Sequence, residues 1–234
     1  MERAVTGIKG LDEVLYGGIP RGGAVLVSGG PGTGKTILCT QFLYNGAVSF
    51  QEPGIFISFE EGKKNLGWNI QSFGWNVEEL RRRGLLEFYT IRPKSPEEFL
   101  KNVDREFLAI EALAAKMNAK RLVIDSTTAF GVWLNEPGTI RYKLFDVIEK
   151  LKALNITTLL TAETKGGLTD LSAFGVEEFV ADGVIAVYFS PPLRALSVRK
   201  MRGTDHSKKI HPLEIGRYGV TVNYNDEILK EALR

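Results

Sequence analysis

Residues Gly29-Gly30-Pro31-Gly32-Thr33-Gly34-Lys35-Thr36 set two glycines at a fixed spacing, followed by a lysine and a hydroxyl. That is the pattern G-x-x-x-x-G-K-[ST], and its chemistry explains its residue types. Glycines allow backbone N–H groups to turn inward around phosphate oxygens. A helix beginning at the lysine adds the partial positive charge of its N-terminus. Gly30, Pro31, Gly32, Thr33, Gly34, Lys35, Thr36 and Ile37 are therefore expected to line a phosphate site. Lys35 would reach the outer phosphates, and the Thr36 hydroxyl would ligate Mg²⁺. The nucleotide implied is ATP or ADP.

A Mg²⁺ held by one hydroxyl needs a carboxylate nearby. Arg121-Leu122-Val123-Ile124-Asp125 is an apolar run ending in an acid, which puts Asp125 at the carboxyl edge of a sheet, where open α/β sheets bind ligands. Asp125-Ser126-Thr127 would also serve as an ordinary helix N-cap. Hydrolysis needs a group that activates water. Ile55 to Phe59 is a second apolar run, ending in Glu60-Glu61. Adjacent acids raise each other's pKa, which suits proton acceptance, with Glu60 ahead of Glu61; the bland reading is an acidic first helical turn. The strand end Thr161-Ala162-Glu163 is a third candidate, expected to sense the γ-phosphate. Lys200 and Arg202 flank Met201 on an expected strand, so the two cations share a face and suit a developing phosphoryl charge. A solvated basic strand would look the same, and sequence alone does not separate action within one subunit from action on a neighbour.

These residues need a frame, and short β-branched runs alternating with longer amphipathic stretches supply one. Strands are expected at 24–28, 54–59, 85–90, 121–125, 157–162 and 183–189, with helices at 35–48, 63–73, 96–117 and 141–154. In the 96–117 stretch, Phe99, Val103, Phe107, Ile110 and Leu113 recur at three- and four-residue steps, as one buried helix face requires. From about residue 183 the pattern becomes consecutive strands, near 184–188, 195–201, 208–215 and 219–222, with a helix expected from Asp226. The fold class is α/β: a mostly parallel twisted sheet flanked by helices, with a C-terminal antiparallel extension. No linker or repeat divides the 234 residues, so one domain over 1–234 is expected.

Bulk composition excludes more than it assigns. A net charge of +2 does not demand a polyanion, and the run Arg81 to Arg83 reads as solvated surface. One cysteine, Cys39, forbids an internal disulfide, and two histidines are too few for a usual all-protein zinc site. No apolar run approaches the ~18 residues of a membrane span, and no apolar signal region follows Met1, so a cytoplasmic location is expected.

Several linked segments occur together: the phosphate loop, Phe59-Glu60-Glu61, Ser72-Phe73-Gly74-Trp75, Ile124-Asp125-Ser126 and Lys200-Met201-Arg202-Gly203-Thr204-Asp205-His206. With Thr6 to Asp12 and Gly17-Gly18-Ile19-Pro20, they resemble a KaiC-type domain of the RecA superfamily over residues 5 to 222. The resemblance implies a RecA-like P-loop NTPase and a hexameric ring, a homo-oligomer with ATP between neighbouring subunits. It implies that Glu60 and Glu61 activate water. Lys200 and Arg202 would reach the γ-phosphate from the adjacent subunit, with Met201 on the same nucleotide-binding strand. Thr204 and His206 would make further nucleotide contacts, and Ser72 matches a nucleotide-contacting serine. Where an autophosphorylated domain of the family has adjacent Ser and Thr, this chain has Glu178-Phe179, with no hydroxyl to phosphorylate. Slow ATP hydrolysis in a regulatory or signalling switch is therefore the expected activity. The alternative from the same superfamily is a recombination accessory ATPase binding single-stranded DNA. Against it, the segment Lys165 to Leu171 has one lysine, one aspartate and no aromatic platform beyond Phe174.

Overall fold

The computed structural model describes residues 1–59, 72–129, 131, 134, 136–164 and 170–233. Glu60, Glu61, most of the expected helix 63–73, and Lys165 to Thr169 lie outside the described residues. Six parallel strands form the body of one sheet: β3 (Ala24–Gly29), β4 (Gly54–Ser58), β5 (Leu86–Thr90), β6 (Arg121–Asp125), β7 (Thr157–Glu163) and β8 (Gly183–Ser190). Three antiparallel strands extend it: β9 (Leu193–Met201), β10 (Ile210–Gly216) and β11 (Gly219–Val222). The order across the sheet is β5-β4-β6-β7-β3-β8-β9-β10-β11. This is the RecA-like α/β arrangement, and β3 lies centrally because both its neighbours are parallel and covered.

Helices cover both faces. α2 (Lys35–Ser49) packs with Leu38, Phe42 and Leu43 into one core, shared with Val25, Val27, Phe56 and Val123. α4 (Pro96–Met117) and α5 (Pro137–Ala153) close the other face over Leu26, Ile55, Leu122 and Leu160. Ser95 caps α4 by accepting from the Glu98 N–H at 3.2 Å, and Asn118 ends it in the left-handed region. Smaller pieces are a two-stranded sheet of β1 (Arg3–Ala4) and β2 (Ile19–Pro20), α1 (Leu11–Val14), α3 (Val77–Arg82) and α6 (Glu177–Val180). The helix expected from Asp226 is only a 3₁₀ turn, Lys230–Leu233. On α3 and its C-cap, Arg81, Arg82 and Arg83 bond Glu78, Glu79 and Gln51, a solvated surface run. No helix among the described residues is long and apolar enough to cross a membrane.

Arg121, a strand residue, is fully buried. Its guanidinium donates to Glu52 Oε2 at 2.6 Å, to the Phe42 carbonyl at 2.8 Å and to the Val5 carbonyl at 2.8 Å, and lies 4.5 Å from the Phe42 ring centroid. Burial works to raise the Glu52 pKa, but the facing Arg21 and Arg121 overcome it and hold it below 4.5. One buried cation thus ties the N-terminal segment, the end of α2 and β6 together.

Candidate functional site

The phosphate loop spans the end of β3 and the start of α2. Gly32 (φ +72°) and Gly34 (φ +102°) adopt backbone conformations that side chains disfavour. A Cβ on Gly34 would also stand 2.7 Å from Ile215 Cδ1, so β10 closes one wall of the loop. No side chain caps α2, and its first internal bond runs from the Leu38 N–H to the Gly34 carbonyl at 2.9 Å. The amides of Thr36 and Ile37 lie ahead of that bond in the first turn of the helix, whose N-terminus favours an anion. Lys35 is buried with its ammonium on the Gly29 and Gly30 carbonyls, at 2.8 and 2.9 Å. Thr33 Oγ1 donates to the Gly30 carbonyl at 2.9 Å and braces the turn. A cleft of about 210 Å³ opens beside the loop, bordered by Gly30, Thr164, Asp170, Val187 and Leu233.

Thr36 Oγ1 donates to Asp125 Oδ2 at 2.8 Å, joining residues from α2 and β6. Asp125 Oδ1 accepts from Thr161 Oγ1 on β7, so the carboxylate is held from two sides. In the sequence Thr161 stands out only as a neighbour of the strand-end acid Glu163. Alternation within β7 was the available signal, since Thr161 lies two residues from the exposed Glu163 and is fully buried. Glu163 pairs with Gly29 in register, and its N–H donates to Thr128 Oγ1 at 2.9 Å. The Ser58–Asp125 register and the Phe59 N–H to Asp125 carbonyl bond at 3.0 Å bring the end of β4 to the same edge. Hydroxyl and carboxylate oxygens are hard donors of the kind Mg²⁺ takes, with phosphate oxygens and water filling the remaining positions. No cluster of three or more His, Cys, Asp or Glu suited to a metal occurs among the described residues.

Ser72 is exposed at the start of a turn whose aromatics run back to α2. Phe73 lies 4.9 Å from Trp75, and Trp75 stacks 5.2 Å from Tyr44. The Gln41 carboxamide, also on α2, accepts from the Val220 N–H at 2.6 Å and donates to the Val220 carbonyl at 3.2 Å. The Ser72 turn and the β10–β11 turn are thus both fastened to the phosphate-loop helix.

The basic strand is elsewhere. Met201 pairs with Gly183, and Gly183 pairs with Val25 at the beginning of β3. Gly29 is four residues further along β3, about 13 Å at ~3.3 Å per residue, and β9 is two strands away, about 10 Å across. Lys200, Met201 and Arg202 therefore stand at the opposite edge of the sheet from their own phosphate loop. Lys200 donates to the Glu178 and Ala181 carbonyls at 2.9 and 2.7 Å. Arg202 bonds Asp182 Oδ1 at 3.4 Å and the Phe179 carbonyl at 3.2 Å, while Met201 is buried. Burial, and then the charge of Arg202, lowers the Lys200 pKa. Thr204 Oγ1 accepts from Arg3, and His206 is buried with Nδ1 2.8 Å from the Ser207 carbonyl, so neither is an ordinary surface group.

Phe174, the one aromatic near the Lys165–Leu171 segment, is partly buried against the α4/α5 core. A Cβ on Gly131 would fall 1.9 Å from the tip of its ring, so the Gly131 backbone packs against that edge.

Comparison with known proteins matches the chain to the family model described as "ATPase: KaiC" over residues 4–227. The circadian clock oscillator protein KaiC of Parathermosynechococcus lividus is 39% identical over 225 residues, 93% of this chain and 41% of that protein. The chain spans less than half the length of the curated clock proteins it matches. The UPF0273 protein MJ1359 of Methanocaldococcus jannaschii is 37% identical over 98% of this chain and 99% of its own. Among solved structures, the KaiC-like protein PH0186 of Pyrococcus horikoshii superposes with a TM-score of 0.84 at 38% identity, covering 95% of this chain and 99% of that one.

Proposed function

The chain belongs to the KaiC family of ATPases, and on that premise we propose that it binds ATP with Mg²⁺ and hydrolyses it slowly, in a site that a second copy of the chain completes. The observation that carries the reading is the 2.8 Å bond between Thr36 and Asp125, which brings a hydroxyl and a carboxylate together under a helix N-terminus. We take 1–234 to act as one such ATPase unit.

In this reading the amides of Gly32 to Ile37 wrap the phosphates. Lys35 exchanges its two loop carbonyls for phosphate oxygens. Thr36 and Asp125 would hold Mg²⁺, whose charge offsets that of the phosphates. Thr161 fixes the Asp125 carboxylate so that one oxygen faces Thr36. Glu60, next in chain to Phe59 at this edge, accepts a proton from water, and Glu61 beside it keeps its affinity for that proton high. Lys200 and Arg202, too distant to serve their own loop, stabilise phosphoryl charge on the neighbouring subunit. Met201 anchors their strand, while Thr204, His206 and Ser72 contact the nucleotide. A hexameric ring with six such boundaries, acting as a regulatory switch, is the assembly that fits this geometry and the family. The Glu60→Gln/Glu61→Gln double variant is the direct test: it should bind ATP as tightly as wild type and turn it over at least a hundredfold more slowly. Wild-type turnover would remove both acids from the mechanism.

A further inference from the structure

Behind Phe59, between the end of β5 and the first turns of α4, lies a separate pocket of about 90 Å³. Its floor is apolar: Phe59, Ile91, Phe99 and Val103 are all buried. Polar residues complete the lining: Thr90 and Asn102, both half-buried, and the exposed Arg92. None of these three side chains has a hydrogen bond or ion pair among the described residues, although each can donate one. The two acids in the lining are already engaged. Glu98 Oε2 accepts from the Lys94 N–H at 2.8 Å, and Glu106 accepts from Tyr89 Oη at 2.7 Å while facing Arg105 at 3.8 Å. An apolar lining with a few uncommitted donors is the ordinary make-up of a small-ligand site.

We propose that this pocket binds a small carboxylate with a compact apolar body. The body would rest on Phe99 and Val103, and the carboxylate would take Arg92, Asn102 and Thr90 as donors. Arg92 decides the charge class, because its fork pairs two oxygens of a carboxylate, while the lining acids Glu98 and Glu106 bond Lys94, Tyr89 and Arg105 rather than Arg92. At about 90 Å³ the pocket suits a ligand much smaller than a nucleotide, and benzoate serves as the probe. The site is independent of the phosphate loop, so this assignment stands or falls without the ATPase reading.

Methyl NMR of the full chain, following Ile91 and Val103, tests it with benzoate against the neutral isostere benzamide. Benzoate should give saturable shifts at both methyls, benzamide much weaker ones, and Arg92→Ala should weaken benzoate roughly tenfold. Thr90→Val, nearly isosteric, should weaken it severalfold with the fold intact. Absence of saturable shifts would overturn the pocket as a site. Equal binding of benzamide, or benzoate binding unchanged by Arg92→Ala, would overturn the carboxylate assignment.

Discussion

At the scale of single residues, the phosphate site is a set of bonds waiting to be exchanged. Lys35 is held by two carbonyls at 2.8 and 2.9 Å, so its ammonium is already aimed along the loop. Lys35→Ala should lower ATP affinity roughly tenfold to a hundredfold, the value of a charge-assisted bond or two, measurable by titration calorimetry. Thr36→Val removes one proposed Mg²⁺ ligand and the bond to Asp125 but no charge. It should leave affinity measured in EDTA nearly unchanged while erasing the increment that Mg²⁺ adds. Equal Mg²⁺ enhancement in the variant would take Thr36 out of the metal site.

At the scale of elements, stability and binding share parts. Gly34→Ala forces a side chain into φ +102° against Ile215. It should cost about 1–2 kcal/mol in unfolding free energy and more in nucleotide affinity, because the same residue sets the mouth of the loop. Glu52 supplies the pH dependence. Its folded pKa lies below 4.5, so the stability it contributes is present above the unfolded value and lost as pH falls through the folded one. Glu52→Gln should therefore destabilise by on the order of 3 kcal/mol near neutrality, with the difference from wild type in thermal melts vanishing in acid. A difference constant down to pH ~3 would contradict the ion-pair account. The strands were legible because β-branched runs of matching length alternate with helical periods, and both ends of α4 carry cap residues. Arg121 was not, since a charged residue in an apolar run gives no sign whether it turns to solvent or to a buried partner such as Glu52. Nor was α3, a six-residue helix too short for periodicity to speak. Thr161 escaped because its role comes from the pairing of β7 with β6, which sets it beside Asp125.

At the scale of the whole molecule, topology separates the two halves of the proposed site. The phosphate loop and Asp125 were readable together because both follow apolar strands at one edge. The placement of Lys200 and Arg202 depends on β9 running back along β8, which returns them to the opposite edge. That reversal turns a basic strand into a candidate contribution to another copy. Mixing two inactive variants tests this most directly: Arg202→Ala, which keeps its own loop and acids, with Glu60→Gln/Glu61→Gln, which keeps its arginine. Under conditions where subunits exchange, equal mixing should restore ATP turnover to roughly a quarter of wild type, the fraction of boundaries that unite both intact halves. Turnover no higher than the average of the two variants alone, with exchange demonstrated, would contradict completion by a neighbouring subunit.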